Sequence, residues 1–204
     1  MQIPDHILKR KILIASTNSH KVEEIKQIFN DTESNFLSLK DYPDIAEAVE
    51  DGETFYANAL KKAEHYFRLL DMPVIADDSG LVVPALNGEP GVYSARYAGT
   101  DATYADNNTC LLTRMSGLKG TARAAYFISV IVYFDGEEVV SGEGRVDGEI
   151  ITQLRGNDGF GYDPLFLYKP AGKTFAEMGV GEKNRVSHRF RALQALREEF
   201  GRKR

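Results

Sequence analysis

One cysteine in 204 residues, Cys110, leaves the chain without an internal disulfide and points to a reducing, cytoplasmic setting. Taken alone, Cys110 reads as a small apolar residue on a helix face. Basic charge is not in excess either: 25 Lys and Arg stand against 30 Asp and Glu, giving a net charge of -5. That balance argues against duplex DNA or an anionic membrane as a partner, so a polyanionic ligand needs a local cationic pocket. The opening stretch Met1-Gln2-Ile3-Pro4-Asp5-His6 has no apolar core of signal-peptide length, and no segment approaches the roughly 20 apolar residues of a membrane span. Neither secretion nor membrane insertion is expected. Low-complexity tracts, internal repeats and Pro/Gly/Ser-rich linkers are missing too, so residues 1–204 are expected to form one domain, with two lobes and no separable linker.

What the chain does have is 43% hydrophobic content, arranged with helical and strand periods. Lys11 to Ala15 reads as a buried strand, and Val22, Ile25, Ile28 and Phe29 recur at helical spacing after it. Phe55, Ala59, Ala63, Tyr66 and Leu70 mark a second helix that stops before Met72-Pro73. A short strand, Val74 to Ala76, runs into Asp77-Asp78-Ser79-Gly80, and Leu81-Val82-Val83 resumes an extended pattern. Tyr104, Asn108, Leu111, Leu112 and Met115 predict a third helix, with Thr100-Asp101 as its caps. Tyr126 to Phe134 is β-branched and aromatic, Asp135-Gly136 signals a hairpin, and Glu138 to Val146 is the partner strand. Leu165 to Leu167 is a last short strand. A final helix carries Phe190, Leu193, Leu196 and Phe200, with Ser187 as its N-cap. Strands alternate with helices early and follow one another in the middle. The expected class is therefore α/β, with a mixed, elongated central β-sheet and flanking helices forming two lobes around a substrate cleft.

Four segments could carry chemistry. Ser16-Thr17-Asn18-Ser19-His20-Lys21 lies between a strand and a helix, where backbone N–H groups, the helix dipole and Lys21 suit a phosphate. It lacks the glycines and the Gly-Lys-Ser/Thr ending of a P-loop, and an ordinary helix cap explains it as well. Asp77-Asp78-Ser79-Gly80 sets two adjacent carboxylates at a strand end, where they repel unless a cation such as Mg²⁺ holds them; an Asp-stabilised turn is the alternative. The acidic run Glu47 to Glu53 could add a carboxylate to that cation, or be solvated surface. In Gly156 to Pro164 the glycines give a planar ring access to the backbone, so Phe160 could stack on a base and Asp163 accept its hydrogen bond, although a tight connection needs glycines equally. Glu182 to Arg189 is a run of donors, or a charged helix start.

In this order the segments resemble the inosine triphosphate pyrophosphatase family over nearly the whole chain. The most specific matches are Ala76-Asp77-Asp78-Ser79-Gly80-Leu81, Gly91 to Tyr97, Gly159 to Pro164, and Ser187-His188-Arg189. The resemblance implies Mg²⁺-dependent cleavage of deaminated purine triphosphates between the α- and β-phosphates, in a homodimer. It implies that Ser16, Thr17, Asn18 and Lys21 hold the triphosphate, that Asp78 binds Mg²⁺ and acts as general base, and that Ser79 contacts substrate beside it. It further implies that Phe160 stacks on the purine, that Gly161, Tyr162 and Asp163 complete that wall, and that Lys183, His188 and Arg189 close over the base. Thr17 stands where many relatives have glycine. Val49 stands where many have a second acid, and Glu50 is the expected further metal ligand. A non-catalytic nucleotide-binding module and a pyrophosphatase of modified pyrimidine nucleotides are the rival readings.

Overall fold

A computed structural model of the chain describes residues 10–29 and 35–202; Met1 to His6 lie outside them. Seven strands form one open sheet: β1 (Ile12–Ile14), β2 (Phe36–Ser38), β3 (Val74–Val82), β4 (Ala124–Phe134), β5 (Val139–Ile150), β6 (Phe166–Tyr168) and β7 (Lys173–Thr174). Their spatial order is β2-β1-β3-β4-β5-β6-β7. β1 pairs in parallel with β2 and β3, whereas β6 pairs antiparallel with β5 and β7, so the sheet is mixed as expected. The helices are α1 (Ser19–Phe29), α2 (Phe55–Leu70), α3 (Tyr104–Arg114), α4 (Val180–Lys183) and α5 (His188–Arg202).

The chain folds into two compact units. The first comprises residues up to Asp78, Ser129–Gly144 and Arg189 onward. Strands β1, β3 and β4 are buried there on both faces, and their side chains divide by parity. Ile12, Ile14, Ile75, Ile131 and Tyr133 join Val22, Ile25 and Ile28 of α1 and Leu193, Leu196 and Phe200 of α5. Leu13, Ala15, Val74, Ala76, Val130 and Val132 join Ala59, Ala63 and Tyr66 of α2 instead. Thr54 caps α2 by accepting the Ala57 N–H at 3.1 Å, and Asp71 ends it with φ 49°, just ahead of Pro73. The second unit, Ser79–Ile128 and Arg145–His188, is built around Leu81, Leu111, Met115, Phe127, Val146, Phe166 and Phe175. Cys110 is half-buried on α3.

Three expectations change. Asp77-Asp78-Ser79-Gly80 is neither a strand end nor a turn: it lies within the nine-residue strand β3. Ion pairs and hydrogen bonds compensate its charge there, as described below, so the poor strand propensity of these residues is overridden. The cap of α3 is Thr103, whose hydroxyl accepts the Asp106 N–H while the Asp106 carboxylate accepts the Thr103 N–H. This capping box satisfies two helix-end donors at once, which Thr100-Asp101 does not do. Finally, β5 continues to Ile150 rather than ending at Val146, because Glu149 and Ile150 pair with β6.

Candidate functional site

Strand parity gives the two adjacent aspartates different surroundings. Asp77 follows the side of Ile75, toward α1 and α5, and Asp78 follows Val74 and Ala76, toward α2. They are therefore not a repelling pair awaiting one shared cation.

Asp77 is 4% exposed and bonded on every side. Lys21 pairs with it at 2.9 Å and Arg189 at 3.2 Å, and the Ser129 hydroxyl, at matching parity on β4, donates to it at 2.5 Å. Burial pushes its carboxyl up, but Arg189 and Lys21 outweigh that and hold it well below the ordinary carboxylate range. Arg189 is fully buried and also pairs with Glu24 of α1. Two acids and two bases thus neutralise one another in the core of the first unit. The guanidinium of Arg189, expected over a base, is committed to these two carboxylates.

Asp78 has a different balance. It is 7% exposed, and burial pushes its carboxyl up to about 6; Lys62, Lys21 and a hydrogen bond from Asn58 oppose that, and the charge of Glu50 adds to it. The Lys62 ammonium pairs with Glu50 at 2.9 Å and donates to the Asp77 carbonyl at 3.2 Å. The segment carrying Glu50 is strapped onto α2. The Ala48 N–H donates to the Tyr66 hydroxyl, His65 bonds the Ala46 carbonyl, and the Gly52 N–H donates to the Asn58 side chain at 2.7 Å. Gly52 is required there, since a Cβ would stand 2.7 Å from that same Asn58 oxygen. The strap favours Glu50 over its neighbours as the acid associated with Asp78. Val49 is 71% exposed, and Asp51 pairs outward with Lys61.

The phosphate-type turn is an Asn-capped helix start: Asn18 Oδ1 accepts the N–H groups of His20 and Lys21 at 3.0 and 3.3 Å, and Ser16 Oγ accepts that of Asn18 at 3.1 Å. Thr17 is exposed, and Lys21 is directed by Asp77.

In the second unit Asp163 is the organiser. Its Oδ2 accepts the Phe160 N–H at 2.9 Å and pairs with Lys183, which is 3% exposed, at 2.7 Å. The Lys183 ammonium lies 4.7 Å from the centre of the Phe160 ring, and the Tyr104 ring centre lies 6.2 Å from it, tilted by 42°. Gly159 has φ +74°, and a Cβ there would overlap the Asp163 carboxylate, so this corner depends on glycine. Tyr162 is buried, with its hydroxyl donating to the Ser94 carbonyl, and Gly161 accepts from Asn108. His188 is buried and stacks on Phe127 at 4.8 Å. Ser79 is half-buried on β3.

Sequence reasoning passed over Asn58, Lys62, Glu24 and Ser129. A signal for the first two was available: Asn58 and Lys62 interrupt the apolar stripe of α2 at i and i+4, where a buried polar pair needs partners. Glu24 and Ser129 leave no such mark, because their partners are 165 and 52 residues away.

Among the described residues no group of three His, Cys, Asp or Glu side chains could hold a metal. Asp78 with Glu50 offers two hard oxygen donors and no nitrogen or sulfur. Such a pair fits Mg²⁺, which binds through one or two carboxylates and completes its shell with waters and phosphate oxygens.

Fold and donor set define a class: an open mixed-sheet α/β protein whose interior strand β3 sets one carboxylate in a buried ion cluster and its neighbour beside a second acid, suited to an anion carried with a cation. Within that class the chain belongs to the Ham1 family, whose model matches residues 12–199. A dITP/XTP pyrophosphatase of Desulfotalea psychrophila is 49% identical over 189 residues, which is 92% of this chain and 84% of that protein. The Ham1 protein of Staphylococcus aureus is 39% identical with a TM-score of 0.82, and a HAM1 protein of Coxiella burnetii is 36% identical with a TM-score of 0.84. Each match covers 95% of this chain and 99% of the other.

Proposed function

We propose that this chain is a nucleoside triphosphate pyrophosphatase that hydrolyses deaminated purine triphosphates, ITP, dITP and XTP, to the monophosphate and pyrophosphate with Mg²⁺. The reading is carried by the environment of Asp78, a buried carboxylate adjoined by a second acid and two ammonium groups. Relatives named dITP/XTP pyrophosphatase at 46 to 49% identity support the substrate class.

In this reading Asp78 and Glu50 hold Mg²⁺, which when bound neutralises phosphate charge and polarises the anhydride under attack. Asp78 also orients the attacking water and takes its proton. In the metal-free protein burial pushes this carboxyl up to about 6, and a bound cation would lower it and keep the carboxylate ionised to accept that proton. Lys21, aimed by Asp77, anchors the phosphate chain, with Ser16, Thr17 and Asn18 beside it and Ser79 contacting substrate. The aromatic group of the second unit recognises the base. Phe160 supplies a stacking face whose backbone is fixed by Asp163, Lys183 supplies a donor, and Gly161, Tyr162 and His188 shape the wall. Hypoxanthine and xanthine present a 6-oxo acceptor and an N1–H donor, and adenine presents the reverse. Adenine would therefore leave buried donors unpaired, at about 1 to 3 kcal/mol each. No described helix is long and apolar enough to cross a membrane; we place the enzyme in the cytoplasm as a homodimer.

Phe160→Ala tests the assignment of the base. Loss of stacking is expected to lower kcat/KM for ITP about 5- to 150-fold, through about 1 to 3 kcal/mol, and to narrow the preference for ITP over ATP. Steady-state kinetics on both nucleotides measure this, and unchanged constants would remove Phe160 from the site.

A further inference from the structure

Lys62 is a buried cation on a helix face whose other buried residues are Asn58, Ala59, Ala63 and Tyr66. Its side chain is 10% exposed, its ammonium pairs with Glu50 at 2.9 Å and donates to the Asp77 carbonyl at 3.2 Å, and its charge acts on Asp78. The strap onto α2 keeps Glu50 close: Tyr66, His65 and Asn58 bind the backbone at Ala48, Ala46 and Gly52. One positive charge is thus held between Glu50 and the β3 backbone next to Asp78, and the charges of Lys62 and Glu50 both act on Asp78.

We propose that Lys62 is the resident counter-ion of the divalent-cation site, holding Glu50 and Asp78 together in the metal-free protein and setting cation affinity by competing for Glu50. This deepens the proposed function and rests on its reading that Asp78 and Glu50 take a divalent cation. Without an ammonium, the two carboxylates would repel each other and draw in stray cations. With it, an arriving divalent ion meets acids already part-neutralised and a like charge beside them. Coulomb attraction scales with the product of charges, so the divalent ion still wins Glu50, but with lower affinity than bare acids would give. Lys62 is accordingly a positioning residue, acting through Glu50 and Asp78.

Manganese alone, without nucleotide, is the probe. Free Mn²⁺ is titrated by electron paramagnetic resonance against the wild type, Lys62→Met, Lys62→Arg and Asp78→Asn. Lys62→Met, which keeps the length and loses the charge, is expected to bind Mn²⁺ about tenfold more tightly, with Lys62→Arg close to wild type. A second measurement needs no variant: in wild-type crystals soaked with Mn²⁺, the ammonium of Lys62 should stand more than about 4 Å from the Glu50 carboxylate. Unchanged or weaker Mn²⁺ binding by Lys62→Met, or a Lys62–Glu50 pair intact in the soaked crystals, would overturn the proposal. Failure of the underlying reading looks different: Asp78→Asn would then bind Mn²⁺ as well as the wild type, or the wild type would take none.

Discussion

Asp78→Asn is expected to lower turnover about 10³-fold while making the metal-free protein more stable at pH 8. The rate loss follows from the roles proposed for Asp78, base for the attacking water and one of two acids for Mg²⁺. The stability gain follows from burial. A carboxyl pushed from 3.8 to about 6 binds its proton more tightly folded than unfolded. Its contribution to stability is complete below pH 3.8 and is lost as pH rises through 6. At pH 8 the wild type carries an ionised buried carboxylate at a cost of about 1 to 3 kcal/mol, and asparagine does not. Thermal melts at pH 4 and pH 8 check this: the variant should gain at pH 8 and lose that advantage at pH 4. Full activity, or lower stability at both pH values, would contradict the role given to Asp78.

One residue earlier the expected outcome reverses. Asp77→Asn leaves Arg189 and Lys21 in the first unit without their shared carboxylate, and breaking a buried pair from one side typically costs about 3 to 5 kcal/mol. For a chain of this size that is a fall in Tm of roughly 10 °C. Asp77 is held ionised, so its stabilisation is present above the ordinary carboxylate range and is lost as pH falls through its lowered folded value. Lys21 also loses the partner that aims it, so KM for the triphosphate should rise. A melt within 2 °C of wild type, on the order of a surface substitution, would mean that the ion cluster contributes little. Two neighbouring aspartates, one failing by activity and one by stability, make a sharper test than either alone.

The sequence carried the first unit well because its strands and helices obey their periods. Ile12, Ile14 and the α1 stripe Val22, Ile25, Ile28 could be read directly, as could the Asp135-Gly136 hairpin. Parity along Val74-Ile75-Ala76-Asp77-Asp78 was legible as well, and it alone sends the two carboxylates to opposite faces. What concealed it was composition: Asp, Ser and Gly read as a turn unless the cations that cover them are known. Those cations come from α1, α2 and the start of α5, and no local pattern announces such pairings. Arg189 and Lys183 illustrate the same limit, since a run of charges at a helix start reads as solvated until the fold buries it against Asp77 or Asp163. Thr103 prevailed over Thr100-Asp101 as the α3 cap because only it has an acid three residues on.

The most direct test of the central claim is a product analysis. The pure protein is incubated with Mg²⁺ and, separately, ITP, dITP, XTP, ATP, GTP and dUTP, with and without a chelator, and pyrophosphate is resolved from orthophosphate. The account predicts monophosphate and pyrophosphate from ITP, dITP and XTP, little from the other three, and none once the metal is chelated. Orthophosphate as the product, equal turnover of ATP or dUTP, or undiminished activity in chelator would contradict it.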